Sequence, residues 1–200
     1  MIDEGYVKFR CKWIETKPLP RKQIKELNRW HQKLYQLGLI GVYTDGFGFG
    51  NISIRIGRSK QFIISGTQTG GVPRLTTAHY TKVIAGDFKK NCLTCEGPIE
   101  ASSESLTHLA VYQADQSVKT VIHVHYKKLW KKLLGVVPTI SKRISYGTPA
   151  MARGVLQLFK ETDVKRLKVF VMAGHEEGVV SFGKNLDEAG AIIMSKIKSI

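Results

Sequence analysis

The chain has 200 residues, of which 42% are hydrophobic, and it carries a formal net charge of +15 at pH 7. This length and composition predict one globular domain with a sizeable core. No run approaches the roughly 18 apolar residues of a membrane span, and no apolar segment of signal-peptide length stands at the N-terminus. These features exclude a membrane-spanning helix and predict a cytoplasmic protein.

The excess of basic residues favours polyanionic partners: nucleic acid, an acidic membrane or phosphorylated metabolites. The lysines are spread along the chain, with one cluster at residues 126–134. There the apolar residues recur on one side, which indicates a core-packed helix with a solvated basic face. We therefore predict neither a nucleic-acid nor a membrane partner, although the charge alone leaves nucleic-acid binding as an alternative.

Helical and strand periods alternate along the chain, and residues 1–19 precede them as an N-terminal extension. Several strands follow one another as hairpins, which predicts a single α/β domain over residues 20–200 with a mainly antiparallel central sheet flanked by helices. The predicted helices lie at 20–37, after 101–104, at 126–134, at 149–159 and after Asn185. The predicted strands lie at 52–56, 61–65, 82–85, 92–96, 120–125, 168–172 and 179–182.

Residues 46–51 read Gly-Phe-Gly-Phe-Gly-Asn and lead into a predicted strand. A dinucleotide fingerprint or a P-loop would instead open a helix, so both are excluded. The stretch is either a flexible turn of small residues or a place where backbone approaches a ligand. Residues 65–71, rich in hydroxyl groups and glycine, are a second candidate for binding an anion.

The chain has three cysteines, an odd number, and shows no secretory signal. Both features argue against a disulfide framework. Cys92 and Cys95 fall on one predicted strand, where positions three apart point to opposite faces. They are therefore not predicted to share a metal.

His123 and His125 lie two residues apart on a predicted strand, so both imidazoles project from one face and could bind one metal ion. Two histidines on a partly solvated face would show the same pattern. His175 lies in a glycine-flanked turn after an apolar strand, and Glu104 lies where a helix begins. Three histidines and a carboxylate form a typical catalytic metal set, which zinc, manganese, cobalt or iron would accept. In the alternative interpretation, Glu104 binds no metal and only stabilises the helix by interacting with its dipole.

Six short motifs follow one another along the chain: Gly50-Asn-Ile-Ser53, Ile64-Ser-Gly66, Ala101-Ser-Ser-Glu104 with His108 one turn later, Val121-Ile-His-Val-His125, Tyr146-Gly-Thr-Pro149 and Gly174-His175. Their order resembles that of the class II aldolase/adducin head domain family, and the resemblance covers roughly residues 20 to 200. This family includes fuculose-phosphate aldolase, ribulose-phosphate 4-epimerase and methylthioribulose-phosphate dehydratase.

The resemblance implies a three-layer α/β/α fold, a homotetramer and a divalent-metal-dependent aldolase or lyase. The enzyme would cleave a ketose phosphate through a metal-stabilised enediolate, with zinc as the expected metal and manganese, cobalt or iron as alternatives. The implied metal ligands are His123, His125 and His175, with Glu104 as the fourth ligand or as the catalytic acid/base. The residues implied to bind the substrate phosphate are Asn51, Ser65, Gly66, Ser102 and Ser103.

Three segments differ from the family pattern. The segment between His125 and Tyr146 is shorter and omits the tyrosine that donates a proton in the aldolases, for which Tyr126 and Tyr146 are possible substitutes. Residues 175–178 read His-Glu-Glu-Gly, whereas the family histidine is usually followed at once by glycine, and the loop at 67–74 is also atypical. Epimerisation, dehydration or a non-catalytic, adducin-like binding role therefore stay as alternatives.

Overall fold

The computed structural model describes residues 8–200, so the first seven residues of the predicted N-terminal extension lie outside the described part. Helices and strands alternate through the chain. The helices are α1 (Arg21–Gln36), α2 (Ser105–Ala114), α3 (Lys127–Leu133), α4 (Pro149–Glu161), α5 (Val164–Leu167) and α6 (Leu186–Lys198). The strands are β1 (Arg10–Glu15), β2 (Gly41–Val42), β3 (Gly48–Phe49), β4 (Asn51–Arg55), β5 (Phe62–Ser65), β6 (Tyr80–Asp87), β7 (Cys92–Gly97), β8 (Thr120–His125), β9 (Thr139–Ile140), β10 (Val169–Met172) and β11 (Gly178–Gly183).

Within residues 8–200, nine strands form one sheet in the order β1-β7-β6-β5-β4-β8-β11-β10-β9. The six inner pairings are antiparallel, and only the edge strands β1 and β9 pair in parallel with their neighbours. The predicted α/β domain with a mainly antiparallel sheet is therefore confirmed. Strand β8 lies in the middle of this sheet, between β4 and β11.

The helices cover both faces of the sheet, because each face carries its own cluster of buried apolar side chains. On one face, residues such as Leu106 of α2 and Val155 of α4 pack against Val121 of β8. On the other face, Leu27 of α1 and Ile193 of α6 pack in the cluster that contains the next residues of β8. Both faces of the central strands are thus buried, as the near-continuous apolar runs of their sequences predict.

Strand β1 falls within the predicted N-terminal extension and was not among the predicted strands. It pairs in parallel with β7, from Arg10 opposite Cys92 to Glu15 opposite Gly97. Most of its residues are exposed, so its sequence lacks the alternation of apolar and polar residues that marks a half-buried strand. The extension therefore adds an edge strand to the sheet.

The glycine-rich stretch is more ordered than the flexible turn that the sequence left open. Gly48 and Phe49 form β3, which pairs with β2 as a small separate ribbon. Gly50 has a φ of +75°, and this left-handed conformation lets the chain turn from β3 into β4. Among residues 8–200, the structure contains no helix with the length and apolar character needed to cross a bilayer.

Helices α1 and α6 pack closely because α6 has a glycine at its contact with α1. Gly190 is buried, and a Cβ at this position would overlap the ring of Trp30. The indole N–H of Trp30 donates a hydrogen bond to Asp187 at 2.9 Å, which fixes the ring against α6. The two helices can approach only while position 190 has no side chain.

We expect Gly190→Val to lower the free energy of unfolding by about 1–3 kcal/mol, since the added methyl groups must displace the Trp30 ring. Urea unfolding of the two proteins measures this difference. Ala191→Val is the matched control, because residue 191 is the next position of α6 and is exposed. Equal effects of the two substitutions would contradict the proposed close packing.

Candidate metal centre

Three buried histidines converge at the end of the central strands. His123 and His125 belong to β8, and His175 belongs to the turn between β10 and β11. Their side chains are at most 3% exposed, and one ligand atom from each lies within 4.8 Å of those of the other two. The ring centroids are 4.7 to 5.1 Å apart. This spacing suits three imidazoles around one small cation.

The side chains of His123 and His125 face the same layer of helices, because the two residues alternate along β8. Val121 packs in the cluster that contains α2 and α4, whereas Ile122 and Val124 pack in the opposite cluster. His123 and His125 share the direction of Val121 because alternate residues of a strand face the same side. The paired strand β11 leaves room for them, since a Cβ at Gly178 would lie only 3.2 Å from His123 Nε2.

Glu104 reaches the histidines from the N-terminal end of α2. It immediately precedes Ser105, the first residue of the helix, so it lies one residue before the predicted first turn. Its carboxylate Oε1 lies 3.4 Å from Nδ1 of His175, and its side chain is 2% exposed. Within residues 8–200, neither carboxylate oxygen has a hydrogen bond of ordinary geometry.

The surroundings set the charges of His123, His125 and Glu104. Burial lowers the pKa of His123 to about 3 and lowers that of His125 well below its ordinary value, so both rings are neutral near pH 7. Burial raises the pKa of Glu104, but the 3.4 Å contact of the carboxylate with His175 and the weaker electrostatic influence of His123 outweigh it and lower the pKa to about 2. The site therefore combines the neutral imidazoles of His123 and His125 with an ionised carboxylate.

This donor set fits a divalent metal ion. Both ring nitrogens of His123 and both oxygens of Glu104 are buried without a hydrogen-bond partner in the described part of the chain. Buried polar atoms of this kind ordinarily have partners, because an unpaired group loses its interactions with water. A cation bound between neutral imidazoles and a carboxylate would supply the missing partner.

Aromatic side chains surround the histidines, and two of them, Tyr43 and Phe49, were not among the predicted site residues. Tyr43 Oη lies 2.7 Å from His125 Nδ1, and the ring of Phe49 lies 5.4 Å from the His125 ring. Tyr146, which was predicted as a possible proton donor, stacks on His175 with ring centroids 4.4 Å apart. Tyr126 directly precedes α3, and its ring packs with the cluster on the opposite side of the sheet.

The five residues implied in phosphate binding lie near one another beside the histidines. Asn51 of β4 is directly opposite His123 in the sheet, and its side-chain amide donates to Ser102 Oγ at 3.0 Å. Ser65 Oγ accepts a hydrogen bond from the backbone N–H of Ile52, next to Asn51. Gly66 forms a bridge with residue 101, which brings Ser102 and Ser103 beside it.

His108 belongs to a polar network behind the histidine cluster. Its Nδ1 lies 2.7 Å from Ser53 Oγ, which also lies 2.7 Å from the hydroxyl of Tyr112. All three side chains are buried. Burial lowers the pKa of His108 to about 4, and the nearby charge of Glu104 offsets this effect only in part.

The cysteines lie apart from the histidine cluster. Cys95 is buried and Cys92 is partly exposed, in agreement with their predicted opposite faces. Cys11 of β1 approaches Cys95 with its sulfur 3.6 Å away. The sequence could not indicate this proximity, because it depends on the unpredicted strand β1.

The low pKa of His108 predicts a loss of stability in acid. Unfolded histidine has a pKa near 6.5, so below this pH the unfolded chain binds a proton that the folded chain excludes. The contribution is complete above about pH 6.5 and decreases as the pH falls toward 4, by up to about 3 kcal/mol in total. Urea unfolding of the metal-free protein between pH 7.5 and 5 should therefore show a steeper decrease for wild type than for His108→Gln. Parallel pH profiles would contradict this assignment, because the other histidines contribute equally to both proteins.

Comparison with known proteins supports these observations at the level of the family. The model of the family described as Class II Aldolase and Adducin N-terminal domain matches residues 25–195. The comparison with curated proteins finds no match.

Several solved structures share the fold. A structure of L-fuculose 1-phosphate aldolase has a TM-score of 0.66 at 19% identity and covers 91% of this chain and 84% of its own. L-fuculose-1-phosphate aldolase from Thermus thermophilus has a TM-score of 0.63 at 21% identity, over 90% of this chain and 91% of its own. A sugar-phosphate aldolase from Thermotoga maritima has a TM-score of 0.63 at 16% identity, over 89% and 91%. At these identities the likeness concerns the fold alone.

Proposed function

The chain belongs to the class II aldolase and adducin N-terminal domain family, and we propose that it is a divalent-metal-dependent aldolase that cleaves a phosphorylated ketose. The observation that carries the proposal is the buried cluster of three histidines with a carboxylate that has no ordinary hydrogen bond beside it. A structural role for these groups would leave their buried polar atoms without partners, which folded proteins rarely tolerate.

We propose that His123, His125 and His175 hold the ion, with Glu104 as a fourth ligand before substrate binds. Zinc is the expected metal, and manganese, cobalt or iron would accept the same ligands. A bound divalent ion would polarise the substrate carbonyl and stabilise the negative charge that develops on cleavage. The neutral state of His123 and His125 supports the role of these rings as ligands, since a protonated imidazole cannot bind a metal.

Glu104 is the proposed acid/base. When the carbon–carbon bond breaks, its electron pair stays on the carbon next to the carbonyl, and this carbon must gain a proton. The hydroxyl group on the other carbon loses its proton as it becomes the aldehyde carbonyl. The carboxylate of Glu104 would accept the hydroxyl proton and deliver it to the carbon, and it would make the two transfers in the opposite order in the reverse reaction. The pKa of Glu104 near 2 applies to the metal-free site, in which the carboxylate lies beside His175.

Asn51, Ser65, Gly66, Ser102 and Ser103 are proposed to bind the phosphate group. The hydroxyl and amide groups of this set can donate hydrogen bonds to phosphate oxygens. Ser102 and Ser103 also directly precede the N-terminal end of α2, where the helix dipole favours an anion. The net charge of +15 would further attract a phosphorylated substrate.

The same residues would support epimerisation or dehydration of a sugar phosphate, since these reactions also begin beside a polarised carbonyl. An adducin-like binding protein would not need the histidine cluster, and the presence of all four groups supports the enzymatic role. From the family resemblance we also propose a cytoplasmic homotetramer and a catalytic domain that begins near residue 20.

Purified protein prepared without an affinity tag or added metal should contain about one divalent ion per chain. His123→Ala should lose this metal, because it removes one of three proposed ligands. Glu104→Gln should keep most of the metal, which three histidines still hold, and lose ketose-phosphate cleavage by a factor of about 10² to 10⁴. Elemental mass spectrometry and an aldehyde-release assay measure the two properties.

His79→Ala is the control, since His79 accepts a hydrogen bond from the backbone of Thr76 and is not among the clustered histidines. It should keep both metal and activity. A wild-type protein that binds none of the four metals, even after soaking, would refute the aldolase proposal and favour a metal-free binding domain.

Ser102→Ala should raise KM for a phosphorylated ketose by about 10-fold, the effect of one lost hydrogen bond to a charged group of roughly 1.5 kcal/mol. The unphosphorylated ketose should react equally well with wild type and variant. Ser181→Ala is the control, because this buried serine donates its hydrogen bond to the Ala189 carbonyl within the sheet and helix layer. An equal change in KM for both ketoses would exclude phosphate as the group that Ser102 binds.

A further inference from the structure

The turn after His175 contains a glutamate in a conformation that favours glycine. The backbone N–H of Gly178 donates to the carbonyl of His175 at 2.9 Å, which closes a four-residue turn. Glu177 is the third residue of this turn and has a φ of +69°. Turns with a positive φ at this position usually have glycine there, because a side chain adds strain. A glutamate at this position adds this strain, so we ask which contacts its side chain makes.

The two glutamates of this turn point to different surroundings. Glu176 is exposed and forms an ion pair with Lys127 at 2.9 Å on the surface. Glu177 is partly buried, and its Oε2 accepts a hydrogen bond from the hydroxyl of Tyr43 at 3.2 Å. The same hydroxyl oxygen lies 2.7 Å from Nδ1 of His125. Glu177, Tyr43 and His125 therefore form a continuous hydrogen-bonded chain.

The donor and acceptor capacities of the three groups fix the direction of this chain. An ionised carboxylate only accepts hydrogen bonds, so Tyr43 must donate its single hydroxyl hydrogen to Glu177. The hydroxyl oxygen can then only accept, and Nδ1 of His125 must carry the hydrogen between them. This selects the tautomer in which Nδ1 is protonated and Nε2 has the lone pair.

We propose that Tyr43 and Glu177 are positioning residues that hold His125 in the tautomer and ring orientation needed to bind the metal through Nε2. This inference rests on the proposed metal-dependent function and assigns a role to Glu177, one of the two residues by which the 175–178 turn departs from the family pattern. Hydrogen bonds to the second nitrogen of a ligating histidine typically change metal affinity by 10- to 100-fold.

The strained backbone offers a test that separates this role from a purely structural one. Glu177→Gly removes the acceptor and also relieves the positive φ, so the melting temperature of the metal-free protein should stay equal or rise. Metal affinity should fall by about 10- to 100-fold at the same time. A structural role would instead lower the melting temperature when the contact is lost.

The experiment measures the dissociation constant of Zn²⁺ by competition with a chromogenic chelator, for the full chain at pH 7.5. Tyr43→Phe keeps the ring against Phe49 and should weaken binding to a similar extent, because it removes the hydroxyl. The double variant should be no weaker than Tyr43→Phe alone, since both changes interrupt one chain. Glu176→Gln, the adjacent control, should stay within twofold of wild type.

Nitrogen NMR of metal-free protein, labelled at histidine, adds a measurement that does not depend on metal. His125 should show the Nδ1-protonated neutral tautomer in wild type and lose this preference in Tyr43→Phe. Unchanged Zn²⁺ affinity in Glu177→Gly and Tyr43→Phe, with metal bound by wild type, would overturn the inference and leave the proposed function intact. Wild-type protein that shows this tautomer and binds no metal would instead refute the proposed function and retain the hydrogen-bonded chain.

Discussion

The burial of strand β8 on both of its faces is the constraint on which the rest of the site depends. All six residues of this strand are buried, and its neighbours β4 and β11 occupy both of its edges. Polar side chains at positions 123 and 125 therefore cannot reach bulk water and must find partners inside the protein. The adjacent elements shape this buried site: Asn51 lies opposite His123 on β4, Gly178 leaves space on β11, and Glu104 approaches from α2.

A cluster of buried histidines beside a carboxylate destabilises the metal-free protein, since each desolvated polar group loses its interactions with water. The lowered pKa values of His123 and His108 reflect the same desolvation. Two extensive apolar clusters, one on each face of the sheet, supply the stability that offsets this loss. The helices that complete these clusters also hold Glu104 and the histidines at fixed positions, which suits a site that must be preorganised.

The sequence was sufficient to predict the elements with strong periodicity and the residues that have a chemical signature. The strand at 120–125 was predicted with its observed bounds, and the histidines on it were predicted to share a face. Tyr43 and Glu177 could not be predicted, because their meeting depends on the pairing of β2 with β3 and on a turn with a positive φ. Strand β1 was not predicted because most of its residues are exposed, so its sequence lacks the alternation of apolar and polar residues that identifies a half-buried strand.

The N-terminal extension also contributes to the surroundings of the site, although it precedes the family-matched residues 25–195. Strand β1 fixes the chain beside β7, and the residues just before it lie near the loop that carries Tyr146. The ammonium group of Lys8 lies 4.0 Å from the centre of the Tyr146 ring, which also stacks on the ring of His175. A cation on an aromatic face is attracted by its quadrupole and reinforces the position of the ring. The ring that contacts His175 is thus held partly by a residue outside the matched domain. The outer contacts of the three histidines therefore differ: Tyr43 and Glu177 act on His125, Tyr146 with Lys8 packs on His175, and His123 lies opposite Asn51 in the sheet.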